Sequence, residues 1–287
     1  MAYTTINKST DHFNTKLYTG NAGTQSITGV GFQPDLTWIK RRNAAAGHMW
    51  TDAVRGVTKT IISNETSAEQ TFANGLTAFG TDGFTVGSEG GFNSANTIAS
   101  WNWKAGNSAG SSNSNGSITS TVSANTTAGF SIVKYTGTGS NATIGHGLGV
   151  EPSMIIIKNL TASRDWLVYH KQLGNTHGIY LDLTNASTSS SGFFNNTSPT
   201  SSVFSVGTDT DANDSSDNTI AYCFAEKTGY SKFGSYTGNG STNGTFVFCG
   251  FRPAWVMSKR SDSSDGWRIR DAKRDIDNPA QHRLLAN

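Results

Sequence analysis

Apolar residues in this chain come in short runs, and most of those runs alternate with polar residues. From 97 to 104 the order is T-I-A-S-W-N-W-K, so Ile98, Ser100, Asn102 and Lys104 share one face and Ala99, Trp101 and Trp103 the other. A period of two is the mark of a half-buried strand. The run M-I-I-I-K, Met154 to Lys158, is apolar throughout, which predicts a central strand covered on both sides. In the first third of the chain the pattern predicts strands at 24–28, 36–41, 49–52, 60–63, 84–87 and 97–104. Residues 66–76, with Ala68, Glu69 and Phe72, have the only helix-like character there, and a loop fits them equally. Turn signals about every 8–12 residues predict an all-β chain of antiparallel β-sandwich or jelly-roll type with very little helix.

The pattern repeats, and a repeat decides how the rest is read. The unit Y-T-G, a Gly/Ser/Asn turn, a short apolar strand, a Pro and a closing Lys occurs at 18–40, 135–158 and 236–259. Pro-to-Lys spacing is constant: Pro34 to Lys40, Pro152 to Lys158, Pro253 to Lys259. Each Pro is expected at the first residue of its strand, where a missing N–H costs least. A Trp follows each Lys (Trp50, Trp166, Trp267), then an apolar run ending near Asn64, Asn185 or Asn287. The first two copies add a second half that ends in the shared tetrapeptide N-T-I-A at 96–99 and 218–221. The third copy stops about halfway. The chain is expected to continue past Asn287, with completion by another chain or a degenerate cap as the alternatives. The organisation expected is a lead-in (1–17), repeat 1 (18–106), a flexible Ser/Asn/Gly linker (107–128), repeat 2 (129–235) and partial repeat 3 (236–287). The linker leaves repeat 1 free to move, while repeats 2 and 3 pack together.

Composition adds limits. Apolar residues are 35% and charged residues 15%, both low for a globular domain, with Gly, Ser, Thr and Asn in their place. A net charge of +2 gives no basis for a nucleic-acid partner. No apolar run approaches the ~18 residues a membrane span needs, and the start M-A-Y-T-T-I-N-K-S-T lacks the pattern of a secretory signal. Cys223 and Cys249 sit in apolar runs and read as free thiols, with a disulfide between them open.

Candidate chemistry is sparse. Trp50, Trp166 and Trp267 are each followed by polar groups: Asp52 and Arg55 in copy one, Tyr169 and His170 in copy two, Arg270, Asp271 and Arg274 in copy three. One reading is an aromatic platform for a sugar ring with charges gripping its hydroxyls. The other is a Trp packed across the sandwich beside an Asp–Arg pair. Asp209, Asp211 and Asn213 open like a calcium loop, but Asp214 and Ile220 replace the Gly and Glu that such a loop uses. A carboxylate pair for glycoside cleavage would draw on Asp182 and Glu226. No cofactor motif is present.

The segments 18–42, 129–159 and 218–241 (YTG…GFQPDLTWIKRR, GFSIVKYTGTGSNATIGHGLGVEPSMIIIKN and NTIAYCFAEKTGYSKFGSYTGNGS) resemble a family of repeat domains in structural proteins of marine bacteriophages. The resemblance spans nearly the whole chain. It implies lectin-like, concanavalin-like β-sandwich modules in a virion surface protein. The implied function is a non-catalytic tail fibre or adhesin that binds host-surface glycan or receptor. A capsid decoration or head fibre is the alternative, and a glycan depolymerase the second. Other virion proteins are the implied partners, and a homotrimer would add avidity. The family supplies no functional residues to carry over.

Overall fold

Short alternating runs separated by Gly-rich turns cannot make long helices, and the chain folds almost wholly into antiparallel strands. A computed structural model describes residues 4–277 and 279–287. The first copy supplies β1 (Phe13–Thr19), β2 (Gln25–Thr28), β3 (Leu36–Arg41), β4 (Met49–Asp52), β5 (Lys59–Ile62), β6 (Gln70–Thr71), β7 (Leu76–Gly80), β8 (Gly83–Val86), the one-turn helix α1 (Gly90–Asn93) and β9 (Thr97–Trp103). The second supplies β10 (Ser111–Asn113), β11 (Ser120–Asn125), β12 (Phe130–Thr136), β13 (Ala142–Gly145), β14 (Met154–Asn159), β15 (Leu167–His170), β16 (His177–Tyr180), β17 (Thr188–Ser189), α2 (Ser191–Phe194), β18 (Val203–Val206), α3 (Thr210–Asn213) and β19 (Asn218–Phe224). The third holds β20 (Trp255–Ser258), β21 (Arg268–Asp271) and β22 (Leu284–Leu285).

The strands form a large sheet β1-β9-β3-β4-β5-β6 backed by β2-β8-β7, and a second large sheet β10-β11-β12-β19-β14-β15-β16-β17 backed by β13-β18. A three-stranded sheet β20-β21-β22 completes the set. Each large sheet is buried on both faces. Outward, Ile39 and Ile98 meet Ile27, Phe84 and Val86 of the small sheet, and Val133, Ile155 and Ala221 meet Ile144, Phe204 and Val206. Inward, Trp38, Trp101, Ile156, Tyr222 and Ile269 join one core that draws on all three copies. Trp101 and Trp103 therefore share the face that the alternation predicts, and β14 is buried along its whole length.

The Tyr-Thr-Gly motif has a local reason. Tyr18 and Tyr135 each donate a hydroxyl hydrogen bond, both 2.6 Å, to the carbonyls of Phe92 and Ala212. Two residues on, a Cβ at Gly20 or Gly137 would lie 1.9 or 2.1 Å from the carbonyl oxygen of Ser94 or Asp214. Only glycine allows that approach. Buried Asn93 and Asn213, at the ends of α1 and α3, hold the same loops: their amides donate to Gly87 O (3.0 Å) and Gly207 O (2.7 Å), among others.

Several expectations are corrected. Residues 107–128 are no flexible linker: they contain β10 and β11, and β11 pairs along its length with β12. With one core between them, repeats 1 and 2 are packed together, so repeat 1 is not separately mobile. The lead-in 1–17 contains most of β1, which pairs residue by residue with β9. Residues 66–76 form no helix; β6 lies there instead. The prolines precede their strands by two residues, at Pro34, Pro152 and Pro253. The free-thiol reading of the cysteines holds: Cys223 is free and buried, and Cys249 is free and partly covered.

Candidate functional site

Strand register aligns the three copies better than residue type does. Leu36 faces Asp52, Met154 faces His170 and Trp255 faces Asp271. Asp52, His170 and Asp271 are thus equivalent, and counting back from them makes His48, not Trp50, the counterpart of Trp166 and Trp267. The signal was in the spacing: His48, Trp166 and Trp267 each lie the same distance beyond Lys40, Lys158 and Lys259. Likewise Asn64, Asp182 and Asn287 correspond. Each accepts, through a side-chain oxygen, the backbone N–H of His48 (2.9 Å), Trp166 (3.0 Å) or Trp267 (2.7 Å). Asn185 is outside this set. The two N-T-I-A tetrapeptides are offset by one, since Thr19 faces Thr97 but Thr136 faces Asn218. That offset makes Tyr222 the counterpart of Trp101.

These positions bind the copies to one another. The Trp166 indole donates to Glu65 O (3.0 Å), from the second copy to the first. Trp267 donates to Tyr180 O (2.7 Å), from the third to the second. His48 Nδ1–H donates to Ala286 O (2.9 Å), from the first to the third, and closes the ring. The lysines follow the same direction. Lys158 Nζ donates to Thr66 O (3.1 Å) and Lys259 Nζ to Thr184 O (2.9 Å). Lys40 Nζ instead donates to His48 Nε2. Burial lowers Lys40 and Lys158 to about 8. Burial, then the charge of Lys40, lowers His48 to about 4, so His48 is neutral at pH 7.

A second set lies within the shared core. Asp52 Oδ1 accepts from the backbone N–H groups of Val54 and Arg55, and its Oδ2 takes Arg55 Nε at 2.5 Å. Asp271 repeats this with Lys273 and Arg274 (Nε to Oδ2, 2.6 Å). Each pair accepts one further bond from another copy: Tyr222 Oη to Asp52 (2.7 Å) and Trp101 Nε1 to Asp271 (3.1 Å). Burial disfavours the Arg55 charge, but Asp52, Tyr222 and Glu69 together outweigh that and raise its pKa. At the third position His170 Nδ1 accepts from Gln172 N–H (3.2 Å).

The sugar-platform reading therefore fails on burial. Trp50 and Trp166 are 1% and 0% exposed. Trp50 is covered by Trp38 (4.7 Å between rings), Tyr222 (4.8 Å) and Trp166 (5.3 Å), distances at which aromatic pairs attract. Asp52, Arg55 and Trp267 are enclosed with them. Tyr169 lies in the other sandwich core against Phe194 (5.3 Å), and Arg270 donates to Ala280 O (3.1 Å). The calcium-loop reading fails on geometry: Asp209 caps α3 by accepting from Asp211 N–H (2.9 Å), and Asn213 is committed to the loop at Gly139. Among the described residues no group of three or more His, Cys, Asp or Glu is placed to hold a metal. Asp182 and Glu226 also have partners: Asp182 as above, Glu226 in ion pairs with Lys171 and Lys232 (the latter 2.5 Å).

The remaining open surface is elsewhere. Most of the exposed large apolar side chains lie in the third copy: Tyr236 (60% exposed), Phe246 (85%), Val247, Phe248 (76%), Val256 and Ile276. Two shallow clefts adjoin the sheets, one of them lined by Glu226, Lys232, Phe248 and Cys249. Among the described residues no helix is long and apolar enough to cross a membrane. No curated protein and no solved structure matches the chain. Residues 8–287 match the family described as "Domain of unknown function (DUF7483)", and the chain belongs to that family.

Proposed function

We propose that this chain is a non-catalytic surface protein of a virus particle, a tail fibre or adhesin that contacts the host surface. The observation that carries the reading is the core shared by three β copies and closed by the ring through His48, Trp166 and Trp267. Polar and charged groups that could have formed a site are used to lock the copies together. A rigid block with hydroxyl- and amide-rich loops is the result, and it suits a particle surface. The resemblance of the Tyr-Thr-Gly segments to bacteriophage structural proteins supports the same reading.

Adsorption is the test. Purified chain at saturating concentration binds host cells and slows particle adsorption; failure in both overturns the reading. Capsid decoration or a head fibre is the second reading. It is favoured by the concentration of exposed aromatics at Tyr236, Phe246 and Phe248, in place of a scatter over loop tips. Antibody-gold label on the tail supports the first, and label over the capsid the second.

A further inference from the structure

Residues 107–128 are rich in Ser, Asn, Gly and Thr, and part of that run frames a cleft. β10 pairs with β11 only as far as Ser111 opposite Val122, while β11 runs on to Asn125. Between Gly106 and Ser111 the chain leaves that edge and returns to it. The gap is a cleft of about 290 Å³, with Gly147 also on its wall. The loop that frames it is held in place. Gly106 N–H donates to Ser123 Oγ (3.0 Å), Asn107 N–H to the buried Asp35 carboxylate (3.0 Å) and Gly110 N–H to Ser108 Oγ (3.3 Å).

The cleft lining carries no charged side chain. Ser111 and Ser112 are exposed there, and Asn113 is half-buried. Asn113 uses only its Oδ1, which accepts from Asn115 N–H (3.0 Å). Among the described residues none bonds its amide N–H groups or the hydroxyls of Ser111 and Ser112. Uncommitted hydroxyls and an amide offer donors and acceptors together, with no counter-charge for an ion. They match a neutral ligand that carries several hydroxyls. The volume is at the small end for ligand sites, which suits a single ring. Val122 and Ala124 supply apolar contact for the C–H groups of such a ring. We propose that this cleft binds a neutral sugar ring, one hexose unit of a surface glycan, through Ser111, Ser112 and Asn113. The site gives the proposed adhesin its ligand class and rests on that reading.

The probes are glucose, galactose, mannose and N-acetylglucosamine, titrated into the intact, isotope-labelled chain, with glycerol as a polyol that has no ring. At least one sugar is expected to shift the backbone amide resonances of Gly106, Ser112, Asn113 and Ser123 saturably, with a millimolar dissociation constant; glycerol is not. Ser111→Phe, at an exposed position on an edge strand, fills the cleft and is expected to weaken binding about tenfold or more. Amides outside the cleft should stay in place, which shows that the variant is folded. The proposal is overturned if no sugar shifts these amides, if glycerol shifts them as much at equal concentration, or if folded Ser111→Phe binds as the parent does. Adsorption to host cells is measured on the same samples. A chain that adsorbs while its cleft ignores every sugar overturns the cleft alone. A chain that binds sugar and does not adsorb overturns the adhesin reading alone.

Discussion

The hydroxyl of Tyr222, on β19, donates to Asp52 Oδ2, on β4, across 2.7 Å. A strand of the second copy thereby completes the buried ion pair of the first. Hydrogen bonds to a charged group contribute about 1.5–3 kcal/mol when buried. Tyr222→Phe keeps the ring packing against Trp50 and removes only this bond. Urea unfolding should show a loss within that range.

The Asp52–Arg55 pair is nearly inaccessible, with side chains 0% and 1% exposed. Removing one partner strands the other's charge, which costs about 3–5 kcal/mol. Arg55→Met is expected to lose that much in equilibrium unfolding. The double change Asp52→Leu, Arg55→Met should lose less than the sum of the single changes, because no buried charge is left behind. Additive losses would mean that the pair is not coupled.

His48 gives a pH dependence of defined sign. Its folded-state pKa is about 4 against an ordinary 6.5, so between those values the unfolded chain binds more protons. Stability is then lost as pH falls from about 6.5 to 4. Asp35 and Asp211 act oppositely: burial raises both to about 6, and stability grows as pH falls below that value. The test is therefore the difference between the parent chain and His48→Gln. Gln removes the titration, and the difference in unfolding free energy should shrink by roughly 3 kcal/mol on acidification over this window. A constant difference contradicts the assignment.

Gly20→Ala and Gly137→Ala should each destabilise by about 1–3 kcal/mol, because the added methyl meets backbone that cannot move aside cheaply. Gly56→Ala is not a comparable control, since Gly56 has a positive φ of 92°. Gly234→Ala is suitable: nothing lies within 4 Å of the added atom, and its effect should be small. Thermal melts of the three variants decide the point.

Much of the strand layout was readable from alternation: 36–41, 49–52 and 97–103 fall where the period of two puts them. The helical turns α1 and α3 were not, because a single turn capped by buried Asn93 or Asn213 has no periodicity to display. The site was misread for a physical reason. A Trp beside an Asp and an Arg has the same composition whether it faces solvent or a second sheet, and a single sequence carries no sign of which. Here the other copies cover it. Identity of residue type also misled the alignment at Trp50 and at N-T-I-A, where backbone register, fixed by the Lys spacing, pairs His48 with Trp166 and Tyr222 with Trp101.

The central claim is that three copies share one core and act as one unit. Calorimetric unfolding monitored together with tryptophan fluorescence tests it most directly, since Trp38, Trp50, Trp101 and Trp166 all report from that core. One coincident transition, with calorimetric and van't Hoff enthalpies equal, is the expected result. Separate transitions for the first and second copies, or a fluorescence change that precedes the heat absorption, would contradict it.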